Sequence, residues 1–417
     1  MLYPPTAPTL GSFLRNTRDL PRSLTLSGVT AGFLMILINY TGPLLIVLQA
    51  ATAASLSAEH TASWIWAVMV GNGLATIFMS LLYRMPLTSP YSTAGAALLV
   101  TSLINYPLAE AIGAYILCAL GIMLLGMSGL FGRVMRLIPQ PVVMAVLAGV
   151  LLRFGLGIFN AIDDTPANPL IIVAMVGVYF WLRRVKFRAP SLGAMIIGII
   201  IIATAGQLNF TGQIVLTPTL PTITMPVFTL NAALSLALPL FALAISSQYA
   251  PGQAVLLGNG YDAPINGILT ITGGFSAILA LFGGHGNVLG ALTAAIVVGP
   301  ESQPDPDKRY ASAFASGVWH VALGLFGMTV FGLFSIFPGV FVSTIAGLSL
   351  SGIIANALGG AMDNPAHRDA AIVAFLCTAG DFALFGIGAP FWGLVAGVAV
   401  HTLMTFSRHP EAVTVPE

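Results

Sequence analysis

The chain has 417 residues, 57% of them hydrophobic and only 7% charged, with a net charge of +1 and a mean hydropathy of +0.93. Soluble domains carry about 25% charged residues, so this chain cannot cover itself with a polar surface and belongs in a lipid bilayer. The absence of any basic stretch speaks against a nucleic-acid partner. The two cysteines, Cys118 and Cys377, lie inside apolar runs and read as buried free thiols rather than a disulfide or a metal site; no cofactor is implied.

In chain order, residues 1–23 are polar and rich in Pro and Arg, without a cleavable signal peptide. A spanning helix needs about 20 apolar residues. Full-length candidates are 24–49, 61–82, 109–131, 139–158, 168–184, 190–206, 233–257, 265–283, 311–335, 338–358, 368–387 and 389–406. Two shorter apolar segments, 90–104 and 286–299, bring the count to 14. The uncharged, Thr- and Pro-rich stretch 207–231 reads as a connection between two halves, with strand character. With the N-terminus inside, 14 of the 15 basic residues fall on one side, Arg153 being the exception. The positive-inside rule then places both termini in the cytoplasm, and dropping either short segment would scatter the later charges.

The halves resemble each other. Gly126-Met-Ser128, Pro139 and Ala148-Gly149 recur as Gly327-Met-Thr329, Pro338 and Ala346-Gly347, at offsets of 201, 199 and 198 residues. A repeat of seven spans, an odd number, must be inverted in the membrane.

The short segments carry the chemistry. A helix starting in mid-membrane presents free N–H groups and the positive end of its dipole, and two such ends facing each other make an anion site. Tyr91, Ser92 and Thr93 sit at the first end, and His285, Gly286 and Asn287 at the second. Gln49, with Asn39 and Tyr40 upstream, lies in the first span, and Gln248 sits in the eighth, where Pro251-Gly252 suggests local unwinding. Asp381, inside the thirteenth span, is an ionisable group at membrane depth and a proton-carrier candidate; His285, titrating near neutrality, is its rival. Arg153 is expected to pair with Asp163 or Asp164. Gly126-Met-Ser-Gly129 matches an intramembrane serine protease pattern over only four residues, without a paired His, so no enzyme is expected. Asn39-Tyr-Thr41 is a sequon inside a span and means nothing there; Asn209-Phe-Thr211 is accessible but would matter only in a secretory pathway.

These residues carry a resemblance over about 20–406. Tyr40 through Gln49-Ala-Ala51, Ser92-Thr93-Ala-Gly-Ala-Ala97, Ser247-Gln248 with Pro251-Gly252, Phe282-Gly-Gly-His-Gly-Asn287, Leu292-Thr-Ala-Ala-Ile296, Glu301 with Pro304-Asp-Pro306, and Phe391-Trp-Gly393 resemble the benzoate membrane transport proteins, bacterial benzoate–proton symporters. Tyr249, Gln253, Val288-Leu289 and Asp381 depart from that pattern. The resemblance implies an all-α polytopic fold like that of the uracil and anion-exchanger transporters: 14 spans in two inverted repeats of seven, with short strands and half-helices at spans 3 and 10. It implies a core domain (24–131 and 232–335) and a gate domain (132–206 and 336–406). Residues 1–23 and 407–417 would be cytoplasmic tails, and 207–231 the connection.

The expected function is proton-coupled uptake of benzoate or a similar small aromatic carboxylate across the bacterial inner membrane, by movement of core against gate. Ser92, Thr93 and Asn287 would hold the carboxylate beside Gly286, Tyr40 and Tyr91 would enclose the ring, and Gln49 and Gln248 would hydrogen-bond from spans 1 and 8. The proton would travel through His285 or Asp381, and a homodimer is compatible with the fold. The alternatives are a nucleobase or inorganic-anion carrier on the same fold, or a passive channel.

Overall fold

A computed structural model of the chain describes residues 3–137, 139–160, 167–187, 190–208, 216–290, 294–380, 382–385 and 387–406. The described helices are α1 Leu10–Ser23, α2 Leu26–Thr41, α3 Pro43–Ala53, α4 Ala58–Tyr83, α5 Thr93–Ser102, α6 Leu108–Ser128, α7 Phe131–Leu137, α8 Gln140–Asn160, α9 Ala167–Arg184 and α10 Pro190–Thr204. They continue with α11 Leu230–Gly258, α12 Ile265–Ala280, α13 Ala294–Val298, α14 Tyr310–Gly324, α15 Gly327–Ser335, α16 Gly339–Met362, α17 Arg368–Ala379 and α18 Ala389–Phe406. Six helical stretches among the described residues are long and apolar enough to cross a membrane, or seven if the pair bent by 73° between Gly324 and Gly327 is one span.

Hydroxyl side chains set several helix starts. Thr9, Thr25, Ser57, Ser92 and Thr229 each accept a hydrogen bond from an amide three residues on, so one orphan donor of each first turn is satisfied. Gly42 and Pro43 break the first span, with Pro43 opening α3, where its missing N–H costs nothing.

Two packing groups emerge. In one, α4 and α2 pack on α14, α12 packs on α6 and α4, and α3 packs on α5. In the other, α16 packs on α8, α17 on α8 and α18, and α9 on α10 and α16.

Two faces of the molecule are fixed by hydrogen bonds. On one, Thr6 N–H donates to Tyr83 O, Asn16 Nδ2 to Leu81 O, Tyr310 Oη to Asn16 O, and Tyr3 N–H to Gly260 O. On the other, the connecting chain runs without regular structure over 216–229. Its amides donate to the helix ends there: Thr219 to Leu325 O, Thr224 to Leu281 O, and Val227 to Ala109 O. Helices α4 and α14 run from one face to the other.

Three expectations meet a different structure. Residues 10–23, expected in a polar tail, form an amphipathic helix with Asn16 and Leu20 buried and Asp19 paired to Arg84 at 3.0 Å. Described residues of the 207–231 connection contain no strand. The thirteenth span ends early: α17 stops at Ala379, and β1 Ala383–Leu384 pairs antiparallel with β2 Ile387–Gly388. Trp392 Nε1 donates to Leu384 O and Ile387 O and holds that hairpin.

Candidate functional site

The two polar-opened segments meet where expected, as extended backbone. Tyr91 and Asn287 form an antiparallel bridge. Ser92 N–H donates to Gly286 O at 3.1 Å, Val288 N–H to Pro90 O at 2.8 Å, and Gly290 N–H to Thr88 O at 2.9 Å. Pro90 has no N–H to return, so the pairing stays a bridge rather than a ladder. Gly286 has φ +124, a conformation open to glycine and costly for other residues.

Side chains behind this crossing are consumed in holding it together. Trp64 Nε1 donates to His285 Nδ1 at 3.1 Å, and His285 Nε2 lies 2.8 Å from Ser92 O. Indole N–H can only donate, so Nδ1 is the acceptor and Nε2–H donates to the carbonyl. Both nitrogens of this buried imidazole are therefore engaged, and Trp64, Tyr91 and Tyr115 surround its ring. Ser92 Oγ caps α5 by accepting from Gly95 N–H at 2.9 Å. Asn287 is buried; its amide N–H donates to Ser276 Oγ at 2.7 Å, and its carbonyl accepts from Tyr249 Oη at 3.2 Å.

In front of the crossing lies a cavity of about 350 Å³ between the two helix groups. One wall is Ile38, Asn39 and Pro43, the α5 start (Tyr91, Thr93, Ala94), and Ser247, Gln248 and Pro251 of α11. The facing wall is Met144 and Leu147 of α8, Tyr179, Ser191, and Ser349 to Asn356 along α16. No Asp, Glu, His, Lys or Arg is among the described residues lining it. Its positive pole is the α5 N-terminus, where the amides of Thr93 and Ala94 have no acceptor among the described residues. Tyr91 is buried, and its hydroxyl has no hydrogen-bond partner among the described residues.

Of the residues singled out in the sequence, Tyr91, Thr93 and Gln248 are brought together on this cavity. Ser92, His285, Gly286 and Asn287 lie in the crossing or border a small void of about 10 Å³ behind it. Tyr40 packs against the apolar core with its hydroxyl unpartnered. Gln49 lines a different cavity, seven residues beyond the Gly42 break. Residues 291–293, which lead into α13, and Asp381, Asp163 and Asp164 lie outside the described residues. The facing wall, with Tyr179, Ser191 and Asn356, was not anticipated; single polar residues inside apolar spans were the available signal. The eighth span does not unwind at Pro251-Gly252. It stays helical, with a π-helical segment Ile245–Tyr249 just before the proline, which carries Ser247 and Gln248.

A sequence model of the benzoate membrane transport proteins matches residues 22–403. The chain is 39% identical over 374 residues to the inner membrane protein YdcO of Escherichia coli K12, covering 90% of this chain and 95% of that protein. It is 35% identical over 390 residues to the benzoate membrane transport protein of Acinetobacter baylyi, covering 93% and 97%. Among solved structures, the transmembrane domain of the cyanobacterial bicarbonate transporter BicA superposes with a TM-score of 0.61 at 16% identity, over 97% of this chain and 99% of that one.

Proposed function

The chain belongs to the benzoate membrane transport protein family, and from that premise we propose that it moves benzoate or a similar small aromatic carboxylate into the cell together with a proton. It is a multi-pass membrane transporter and not an enzyme. The observation that carries the substrate reading is the 350 Å³ cavity between the helix groups, within the range of about 300–1,000 Å³ for small-molecule sites. The α5 N-terminus and Gln248 supply donors for a carboxylate, and Tyr91, Tyr179, Met144 and Leu147 supply apolar surface for a ring. The lining holds no fixed cation among the described residues, so the α5 dipole, worth roughly half an elementary charge, leaves the anion incompletely balanced. Co-transport of a proton offsets the rest.

The transport cycle we propose is alternating access, with the α2–α6 and α11–α15 group as core and the α8–α10 and α16–α18 group as gate. The packing is what two inverted repeats of seven spans, 14 in all, would give, and the one-sided distribution of basic residues supports both termini being cytoplasmic. Under that pairing spans 2 and 11 correspond to 9 and 4, and α4 packs on α14 as α12 packs on α6. Likewise α17 packs on α8 as α9 packs on α16, and α17 on α18 as α9 on α10.

The test is uptake of radiolabelled benzoate into proteoliposomes with an imposed inward proton gradient. The expected result is accumulation that a protonophore abolishes. Gln248→Ala removes one hydrogen bond, worth about 0.5–1.5 kcal/mol, and should weaken benzoate binding about two- to tenfold. Uptake indifferent to the gradient overturns the coupling. Thermal stabilisation by nucleobases or bicarbonate but not by aromatic acids overturns the substrate.

A further inference from the structure

A second and larger cavity, of about 660 Å³, lies on the same boundary between the helix groups. It is lined by Gln49 and Thr52 of α3, Val100 of α5, Arg153 and Phe154 of α8, Phe331 of α15, and Phe337 with Ser343 at the start of α16. The two cavities share four helices. On α5 they are reached from Thr93 and from Val100, seven residues or about 10 Å apart along the axis. Between them the segments 44–47 of α3, 96–99 of α5, 148–151 of α8 and 344–348 of α16 are all buried, forming a closed layer that is apolar apart from Thr344. Thr52 and Ala53, at the far end of α3, are exposed, as is Arg153. The larger cavity therefore opens on the face that carries the connecting chain.

Its chemistry differs from that of the first cavity. It offers a guanidinium, the primary amide of Gln49 and the hydroxyls of Thr52 and Ser343, set against Phe154, Phe331 and Phe337. Arg153 was the one basic residue that did not fall on the cytoplasmic side of the positive-inside pattern, and Gln49 was expected in the central site; both line this cavity. A cation beside aromatic rings suits one ligand class above others, a carboxylate carried on an apolar ring. Arg153 has five N–H donors, so an ion pair to a neighbouring carboxylate still leaves donors for a ligand.

We infer that this cavity is an outer binding site that captures the aromatic carboxylate before it passes the apolar layer to the central cavity. The inference rests on the aromatic-carboxylate reading above. It divides the labour between two sites: a charged outer site that collects the anion, and an uncharged central site from which it can leave with a proton.

The test is equilibrium binding of radiolabelled benzoate to the full chain in detergent, on the wild type and three variants. The wild type should bind two benzoates. Arg153→Gln should weaken one site by at least about tenfold, as loss of a charge-assisted hydrogen bond does; Arg153→Lys should recover part of it, and Gln248→Ala should weaken only the other. One wild-type site, weakened by Gln248→Ala and untouched by Arg153→Gln, overturns the outer site and leaves the proposed function standing. No benzoate binding at all overturns both. A Phe337→Trp reporter in a chain that keeps Arg153 makes the test independent of how well the Arg153 variants fold. Its fluorescence should respond to benzoate even in the Gln248→Ala background, and an unchanged signal overturns the inference.

Discussion

His285 illustrates how a residue with the right chemistry for transport becomes occupied by structure. Its Nδ1 accepts from Trp64 and its Nε2 donates to Ser92 O, so it ties the span-10 break to the start of α5. A proton added at Nδ1 would set two donors against each other and cost the Trp64 bond. His285→Ala leaves the Trp64 N–H buried and unpaired, at about 1–3 kcal/mol, and strips the Ser92 carbonyl of one of its two donors, the Ala96 N–H remaining, so the purified variant should melt several degrees lower. His285→Gln offers an amide oxygen and an NH₂ in their place and should recover most of that stability. If the role is structural, His285→Gln leaves the pH profile of benzoate uptake unchanged, while Asp381→Asn flattens it. A flattened profile in His285→Gln makes the imidazole the carrier, and no change in either variant removes both from the proton path. The same competition explains why the candidate residues divided. Ser92 and Asn287 have polar groups that suit a ligand equally well, but Ser92 Oγ accepts from the Gly95 amide in its own first turn, as short polar side chains tend to, and Asn287 Nδ2 donates to the Ser89 carbonyl across the crossing. A sequence offers no way to choose between a local backbone partner and a ligand.

Among the helices, the sequence signals that worked were those of interruption. Gly and Pro beside hydroxyl residues marked the ends at 89–93 and 282–287, and the two segments do meet. Signals that failed were those of continuity. Residues 24–49 read as one straight span, yet the break at Gly42 restarts the helix, and Gln49 lies about 10 Å further along it, in the outer cavity. Pro251 read as an unwinding point, yet α11 absorbs it by widening. Ala250 N–H bonds to Ile245 O and Leu238 N–H to Ala233 O, both five residues back, and each wide turn comes just before a proline, Pro251 or Pro239. A proline has no N–H and crowds the carbonyl four residues earlier; the wide turn just before each one gives that carbonyl room while the helix continues past it. The wide turn at 245–249 is what carries Ser247 and Gln248 to the cavity. Pro251→Ala restores the donor and allows an ordinary α register. It should therefore keep or raise thermal stability while weakening benzoate binding by as much as Gln248→Ala does. Unchanged affinity in Pro251→Ala would separate the wide turn from the placement of Gln248.

Across the whole molecule, glycines distinguish the close backbone contacts within each helix group from the softer contacts between the groups. Within the core group a Cβ on Gly73 would lie 2.5 Å from Gly317 O, and one on Gly32 would lie 2.6 Å from the Ser316 amide nitrogen. Within the gate group a Cβ on Gly347 would run into Phe154 O. These are backbone-to-backbone approaches that allow no give, and small residues at helix interfaces are how membrane bundles achieve close packing. Between the groups two cavities interrupt the packing on either side of the buried layer, and a close glycine approach there is to a side chain: a Cβ on Gly42 would meet Ser349 Cβ and Oγ at 2.7 Å. Two closely packed groups meeting at a seam interrupted by cavities is what the proposed rocking of one against the other requires. Gly73→Ala should therefore damage the fold, with overpacking costs of about 1–3 kcal/mol that appear as a lowered melting temperature. Gly42→Ala should change the initial rate of benzoate uptake while leaving the melting temperature near that of the wild type, because Ser349 or the whole gate can shift to make room. The reverse pattern, in which Gly42→Ala melts early and Gly73→Ala only slows uptake, would place the moving seam inside the core group and contradict this division.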